Sequence, residues 1–132
     1  MSIQKITCND NIEIYYISNS MLNENTIENI NKNTIGFVAI CIQQNQMTIL
    51  NMHVNKKFRN NGYGSKLLKH VIFIALSKNI DKITLDDMTQ KAWCSQNMYV
   101  KHGFNYVNGY PYPEMELKFS YKKIDIDKHS NV

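Results

Sequence analysis

The chain has 132 residues, 43% of them hydrophobic and 20% charged, with a formal net charge of +4. That is enough chain for one domain with a real core, too little for two, and too balanced for wholesale disorder; the charge suits an anionic ligand, but scattered lysines make no nucleic-acid groove. Cys8, Cys41 and Cys94 are odd in number and lack metal or redox spacing, so we expect reduced thiols, no metal and a cytoplasmic, reducing compartment, with no signal core and no membrane span in the sequence.

Ile3–Thr7 and Ile12–Ser18 are short runs of β-branched and aromatic residues joined by Cys8-Asn9-Asp10-Asn11, which predicts a hairpin or two neighbouring strands. Residues 19–33 are polar and Asn-rich, with Met21, Leu22, Ile27 and Ile30 at loosely helical spacing; they read as a helix or a long loop. Ile35–Gln43 is almost continuously apolar, the pattern of a strand buried on both faces. Gln44, Asn45 and Gln46 turn it back into a strand over Met47–Val54. A helix then runs to about Lys78, because Leu67, Leu68, Val71, Ile72, Ala75 and Leu76 recur at helical spacing with Lys66, Lys69 and Lys78 off the stripe. Lys82–Asp86 makes a short strand, and strand, helix, strand in this order predicts a right-handed parallel crossover. A second helix, roughly Lys91–His102, is expected to end at Gly103, a suitable left-handed cap. Phe104–Val107 and Met115–Phe119 read as final strands around a loop carrying Asn108, Gly109, Pro111 and Pro113. From about Lys122 the chain is charged and expected to fray.

The chemistry concentrates between the strand ending at Val54 and the helix after it. There Arg59, Asn60, Asn61, Gly62, Tyr63 and Gly64 form R-x-x-G-x-G. Two glycines permit a tight turn and close approach to the backbone. The first turn of a helix carries N–H groups without intrahelical partners and the positive end of the macrodipole, so the arrangement is an anion site. It is neither the three-glycine dinucleotide pattern nor the Walker pattern, since Gly64-Ser65-Lys66 stands in the wrong order.

This loop resembles the acetyl-CoA pyrophosphate loop of the GNAT superfamily of N-acetyltransferases. A second stretch, Met98-Tyr99-Val100-Lys101-His102-Gly103-Phe104, resembles that superfamily's helix ending in L-Y-x-K-x-G-F, with Met98 in the leucine place. The resemblance covers about Met47 to Phe119. It implies an α/β (α+β) domain over residues 1–121: a central mixed, mostly antiparallel sheet, one parallel strand–helix–strand crossover and flanking helices, then a tail at 122–132. It also implies acetyl transfer from acetyl-CoA to a primary amine through a ternary complex. The co-substrate would be held by backbone groups of Met52, His53 and Val54 and by the N–H groups of Arg59, Asn60, Asn61, Gly62, Tyr63, Gly64 and Ser65, with charge assistance from the Arg59 side chain. Tyr99 would be the general acid for the leaving thiolate, its unperturbed pKa near ~10 suiting that task.

The departures define what stays open. Thr48, Leu50 and Met52, the outward candidates on the strand before the loop, are not bases. His53, on the opposite face from Met52, Asp86, Asp87 or a water remains as the base. Ala92 stands where relatives often carry a pantetheine-contacting Asn, and Trp93 reads as a core or interface aromatic. Tyr106, Tyr110 and Tyr112 either line an amine pocket or glue the last hairpin. Glu114 and Glu116 either attract a cationic amine or face solvent. The short N-terminal half leaves room for an open groove taking a peptide amine, or for a site completed in a homodimer. A non-catalytic acyl-CoA-binding module is the alternative within the fold, and a small basic nucleic-acid-binding protein the alternative outside it.

Overall fold

The computed structural model describes residues 2–18, 34–87, 97–108 and 113–121. β1 (Ile3–Thr7) and β2 (Ile12–Ile17) pair antiparallel, and the Asn9 side chain closes their turn by accepting from the N–H groups of Asn11 and Ile12. β2 pairs antiparallel with β3 (Gly36–Gln43), which turns back into β4 (Gln46–Val54). α1 (Tyr63–Ser77) then carries the chain to β5 (Lys82–Asp86), which lies parallel to β4. A single turn of helix, α2 (Met98–Lys101), leads into β6 (Asn105–Asn108), and β7 (Glu114–Lys118) inserts between β5 and β6. The sheet order is β1-β2-β3-β4-β5-β7-β6. This is the expected α/β arrangement, a mostly antiparallel sheet with one parallel crossover.

α1 forms because its apolar residues share one face, and it is buried where that stripe meets the sheet. Leu67, Leu68, Val71 and Ala75 pack with Val38, Ile40, Met47 and Ile83 in the main core. Each large side chain so buried contributes about 1.5–3 kcal/mol. The stripe is narrower than its spacing suggests, since Leu76 is 46% exposed. β3 is buried on both faces, as its unbroken apolar run predicts. Val38 and Ile40 face α1, while Phe37 joins Ile14 and Tyr16 in a smaller cluster.

Two expectations about local structure are corrected. A helix continuous from Lys91 to His102 does not form. Asn97 has φ −59° and ψ 133°, outside the helical range, and its side chain caps the Tyr99 N–H, so the helix begins at Met98. The outward row Thr48, Leu50, Met52 is also broken. Ile40 pairs with Ile49 but Ala39 with Asn51, leaving Leu50 as the extra residue of a β-bulge. A one-residue offset exchanges the faces. Thr48 and Leu50 are exposed, but Met52 turns to the main core and His53 to the Phe37 side, its ring 6.0 Å from that of Phe37. The expected N-terminal helix or loop, Ala92, Trp93, Cys94, Tyr110, Tyr112 and the C-terminal tail lie outside the described residues.

Candidate active site

The bulge also opens the sheet. β4 and β5 pair only at Gln46↔Lys82, Met47↔Ile83 and Thr48↔Thr84, although both strands continue beyond that point. A bulge bends its strand and increases the local twist. β4 therefore leaves β5 at Thr48, two residues before Leu50, and the two threonine hydroxyls, 3.4 Å apart, stand at the apex of the fork. Beyond Thr48 the β5-facing edge of β4 has no strand partner among the described residues. Its backbone donors and acceptors there are available to a ligand.

β4 ends in a pinned loop. Asn55 caps a 3₁₀ turn at Lys56–Phe58 by accepting from the Lys57 N–H. The Asn61 amide donates to the carbonyls of Phe58 and Arg59, at 3.2 and 3.1 Å. Arg59 Nε donates to the Val54 carbonyl at 3.0 Å, which ties the loop to the strand end and leaves the outer guanidinium nitrogens free to reach outward. Asn60 and Gly62 both take left-handed backbone, φ 65° and 82°. Gly62 is the N-cap of α1 and supplies no side chain, so the helix opens without a side-chain cap. The N–H groups of Tyr63, Gly64 and Ser65 thus meet no intrahelical acceptor. A Cβ on Gly62 would touch nothing within 4 Å, whereas one on Gly64 would come 3.1 Å from Met98 Sδ. The two glycines act differently: Gly62 keeps the mouth of the loop open, and Gly64 lets α1 close onto α2.

A cavity of about 670 Å³ lies over this loop. Met52, His53, Val54, Arg59, Asn60, Gly62, Tyr63, Gly64, Ser65 and Tyr99 all line it, so ten of the eleven residues singled out in the sequence come together. Asn61 does not; its side chain is spent inside the turn. Phe58, Asn97, Met98, Lys101 and His102 join the lining without having been singled out for it. Asn97 was legible as a helix cap, an Asn directly before Met98. His102 carried no signal. Its Nδ1 lies 2.8 Å from the Met98 carbonyl and so donates, which leaves Nε2 to accept the Ser65 hydroxyl at 3.0 Å. Among the described residues Arg59 and Lys101 line the cavity and no carboxylate does.

Tyr99 is 9% exposed, its ring edge-on to Phe104 at 5.8 Å. Tyr99 lines the cavity, and its hydroxyl engages no hydrogen bond among the described residues. The ring is core, but the hydroxyl is not spent on a carbonyl. Burial, and secondly the Asp87 carboxylate, push its pKa up to about 12, so the proton stays on oxygen throughout the neutral range. The match to a thiolate expected from an unperturbed phenol is lost. A proton-bearing donor remains. Asp87 is 1% exposed and accepts from Asn97 Nδ2 at 2.7 Å and Tyr106 Oη at 3.0 Å. Tyr106 therefore holds the last strands together.

A second cavity, about 340 Å³, opens in the fork itself, lined by Thr48, Ile49 and Leu50 of β4, Thr84, Leu85 and Asp86 of β5, and Glu114 of β7. Asp86 and Glu114 are direct partners across β5 and β7. No ion pair engages either among the described residues, whereas Glu116 is held by Lys118 at 3.4 Å and Lys82 at 4.0 Å. Of the three side chains considered as base, only Asp86 lines this cavity. Among the described residues no group of His, Cys, Asp and Glu could hold a metal ion, and no helix is long and apolar enough to cross a membrane.

A forked parallel strand pair, crossed over by a helix that opens on a glycine turn, defines an α/β domain of the kind that holds an anionic ligand at strand ends. The chain belongs to the GNAT acetyltransferase family: residues 23–106 match the family described as acetyltransferase (GNAT) domain. No curated protein matches it by sequence. Among solved structures it is similar to a PaiA N-acetyltransferase from Thermoplasma acidophilum in complex with coenzyme A, at 21% identity and a TM-score of 0.61, covering 83% of this chain and 62% of that one. It is similar to the ribosomal-protein-S18-alanine N-acetyltransferase from Escherichia coli, at 17% identity and 0.65, covering 88% and 76%. A GNAT family acetyltransferase from Elizabethkingia anophelis with acetyl-CoA bound gives 18% identity and 0.65, covering 89% and 97%. At such identities the likeness is one of fold.

Proposed function

We propose that the chain binds acetyl-CoA along β4 and over the glycine loop and transfers its acetyl group to a cationic primary amine. The residues present fit such a ligand. An uncapped helix start, a left-handed Gly62 with open space where a Cβ would stand, and Arg59 and Lys101 suit a pyrophosphate-bearing chain. Met52, Val54, Phe58 and Tyr63 suit its less polar arm. When bound, acetyl-CoA would supply the acyl group as a thioester: the ammonium first gives up one proton to leave a neutral amine, the C–N bond forms as the C–S bond breaks, and the second proton lost from nitrogen is balanced by one delivered to sulfur.

The chain's own groups divide this work. Free backbone N–H groups beyond Thr48 offer hydrogen bonds to the carbonyl oxygen of the acetyl group, aimed before the reaction begins. Tyr99 faces the same cavity with an unengaged hydroxyl, and this single observation carries the reading. With its pKa near 12 it acts as a hydrogen-bond donor to the departing sulfur, the proton following as charge develops. The fork cavity takes the amine, because an unpaired Asp86 and Glu114 favour a positively charged acceptor, and Asp86 is placed to collect its proton directly or through water. Free Cys8 and Cys41 support a reducing, cytoplasmic setting.

Thermal unfolding with and without acetyl-CoA tests the reading. A ligand at ~100 times its dissociation constant adds about 2.7 kcal/mol. The stabilisation is expected in the wild type and in Tyr99→Phe and is lost in Gly62→Glu; no stabilisation in the wild type rejects the reading.

A further inference from the structure

The proposed site depends on where one phenol stands, and α2, the helix that carries it, is only four residues long. A helix of one turn does not hold itself in water. What holds this one is a buried chain of hydrogen bonds that starts outside the cavity. Asn97 Oδ1 accepts the Tyr99 N–H at 2.7 Å, and the Asn97 carbonyl accepts from the Lys101 N–H at 3.1 Å. Asn97 is in turn gripped from behind, its Nδ2 donating to Asp87 Oδ2 at 2.7 Å.

Asp87 is fixed on two further sides. The same Oδ2 accepts from Tyr106 of β6, and the Asp87 N–H donates to the Pro113 carbonyl at 2.6 Å. The carboxylate thus joins the end of β5 to the start of α2 and to β6, and the backbone of the same residue reaches the entry to β7. Asp87 and Asn97 are 1% and 2% exposed, so water does not compete for these bonds and each is stronger than its surface equivalent. Phe104 completes the clamp: its N–H donates to the Tyr99 carbonyl at 3.0 Å and its ring meets the phenol edge-on.

We infer that Asp87 is a positioning residue for Tyr99, holding the phenol at the cavity through Asn97, and is not the base of the reaction. The inference rests on the acetyl-transfer reading above. The direction of the bonds supports it: Asp87 accepts from both neighbours and lines neither cavity. Its negative charge beside Tyr99 also favours the proton-bearing phenol, the form a donor needs. Asp86, the preceding residue, points its lining to the fork instead. Two adjacent aspartates at one strand end therefore serve different halves of the site.

A double-mutant cycle decides the matter, with Asp87→Ala, Tyr99→Phe and the pair assayed by thiol release from acetyl-CoA, using spermidine and a lysine-bearing peptide as acceptors. Displacing a reacting group by about 1 Å costs roughly 10²-fold in rate. Asp87→Ala is expected to lower kcat on that scale, leave KM for acetyl-CoA unchanged, and add nothing further once Tyr99 is Phe. Asp87→Asn, which can still accept from Asn97, is expected to recover most of the rate. If Asp87→Ala does not fold, Asn97→Ala breaks the same chain one link closer to Tyr99 and is read in the same cycle. If neither amine is a good acceptor, slow hydrolysis of acetyl-CoA is read instead. Equal rate losses in the presence and absence of the Tyr99 hydroxyl overturn the inference alone. A folded wild type that acetyl-CoA does not stabilise overturns the acetyl-transfer reading, and this inference with it.

Discussion

The two cavities are built from one forked strand pair yet differ in every property that selects a ligand. Among the described residues, the cavity over the glycine loop is lined by Arg59 and Lys101 and the start of α1, with no carboxylate. The fork cavity is about half that volume and, among the described residues, carries Asp86 and Glu114 with no cation. Like charges directly across two strands destabilise a sheet, so the Asp86–Glu114 rung costs stability that a cationic ligand would offset. The contrast teaches that one forked strand pair can border two cavities of opposite charge.

Removing the Tyr99 hydroxyl is the most severe way to test the division. Tyr99→Phe is expected to lower kcat by about 10²- to 10⁴-fold while acetyl-CoA affinity, measured by calorimetry, holds. A loss of affinity instead would move Tyr99 from the chemistry to the binding of the loop cavity. Next in size is Gly62→Glu, which puts a carboxylate beside the helix start and strains a φ of 82°. It should abolish the acetyl-CoA melting shift and lower the resting stability by about 1–2 kcal/mol.

The fork cavity is probed by Asp86→Asn with Glu114→Gln. Exposed charge pairs are worth about 0.2–1 kcal/mol each, so KM for a polycationic amine should rise several-fold, with KM for acetyl-CoA unmoved. An equal rise for a neutral amine would show that the carboxylates act through shape and not charge. The smallest effect belongs to His70, remote from both cavities, whose ring packs edge-on to Tyr15 at 4.7 Å. Burial lowers its pKa, so the folded protein holds it neutral. Its contribution is complete above the unfolded-state pKa and is lost as pH falls through the lower folded value. His70→Gln should flatten that decline in a melting-temperature profile while leaving both cavities' ligands unaffected.

Much of this molecule was readable in one dimension. The β4–α1–β5 crossover followed from an apolar run, a glycine turn and helical spacing, which are local signals with local causes. The loop followed for the same reason, since glycine and helix-start chemistry act within a few residues. Where reading failed, the cause was pairing between distant segments. The bulge depends on how β4 registers with β3, and it reversed the faces of Met52 and His53. The Asn61 side chain turns inward to close the loop on the Phe58 and Arg59 carbonyls, a contact that residue spacing does not report. His102 reached the cavity because α2 docks on α1, which no spacing rule reports.

By itself, then, the sequence determined the order of the elements, the core face of α1 and the position of the glycine loop at the start of that helix, because periodicity and glycine placement are set by residues close along the chain. Only the tertiary structure decided that β4 parts from β5 at Thr48, that Tyr99 lines the loop cavity with its hydroxyl in no hydrogen bond among the described residues, and that Asp86 lines the fork cavity while its neighbour Asp87 is buried against Asn97 and Tyr106. Those outcomes depend on register and on burial, and both exist only once segments far apart in the chain have packed together.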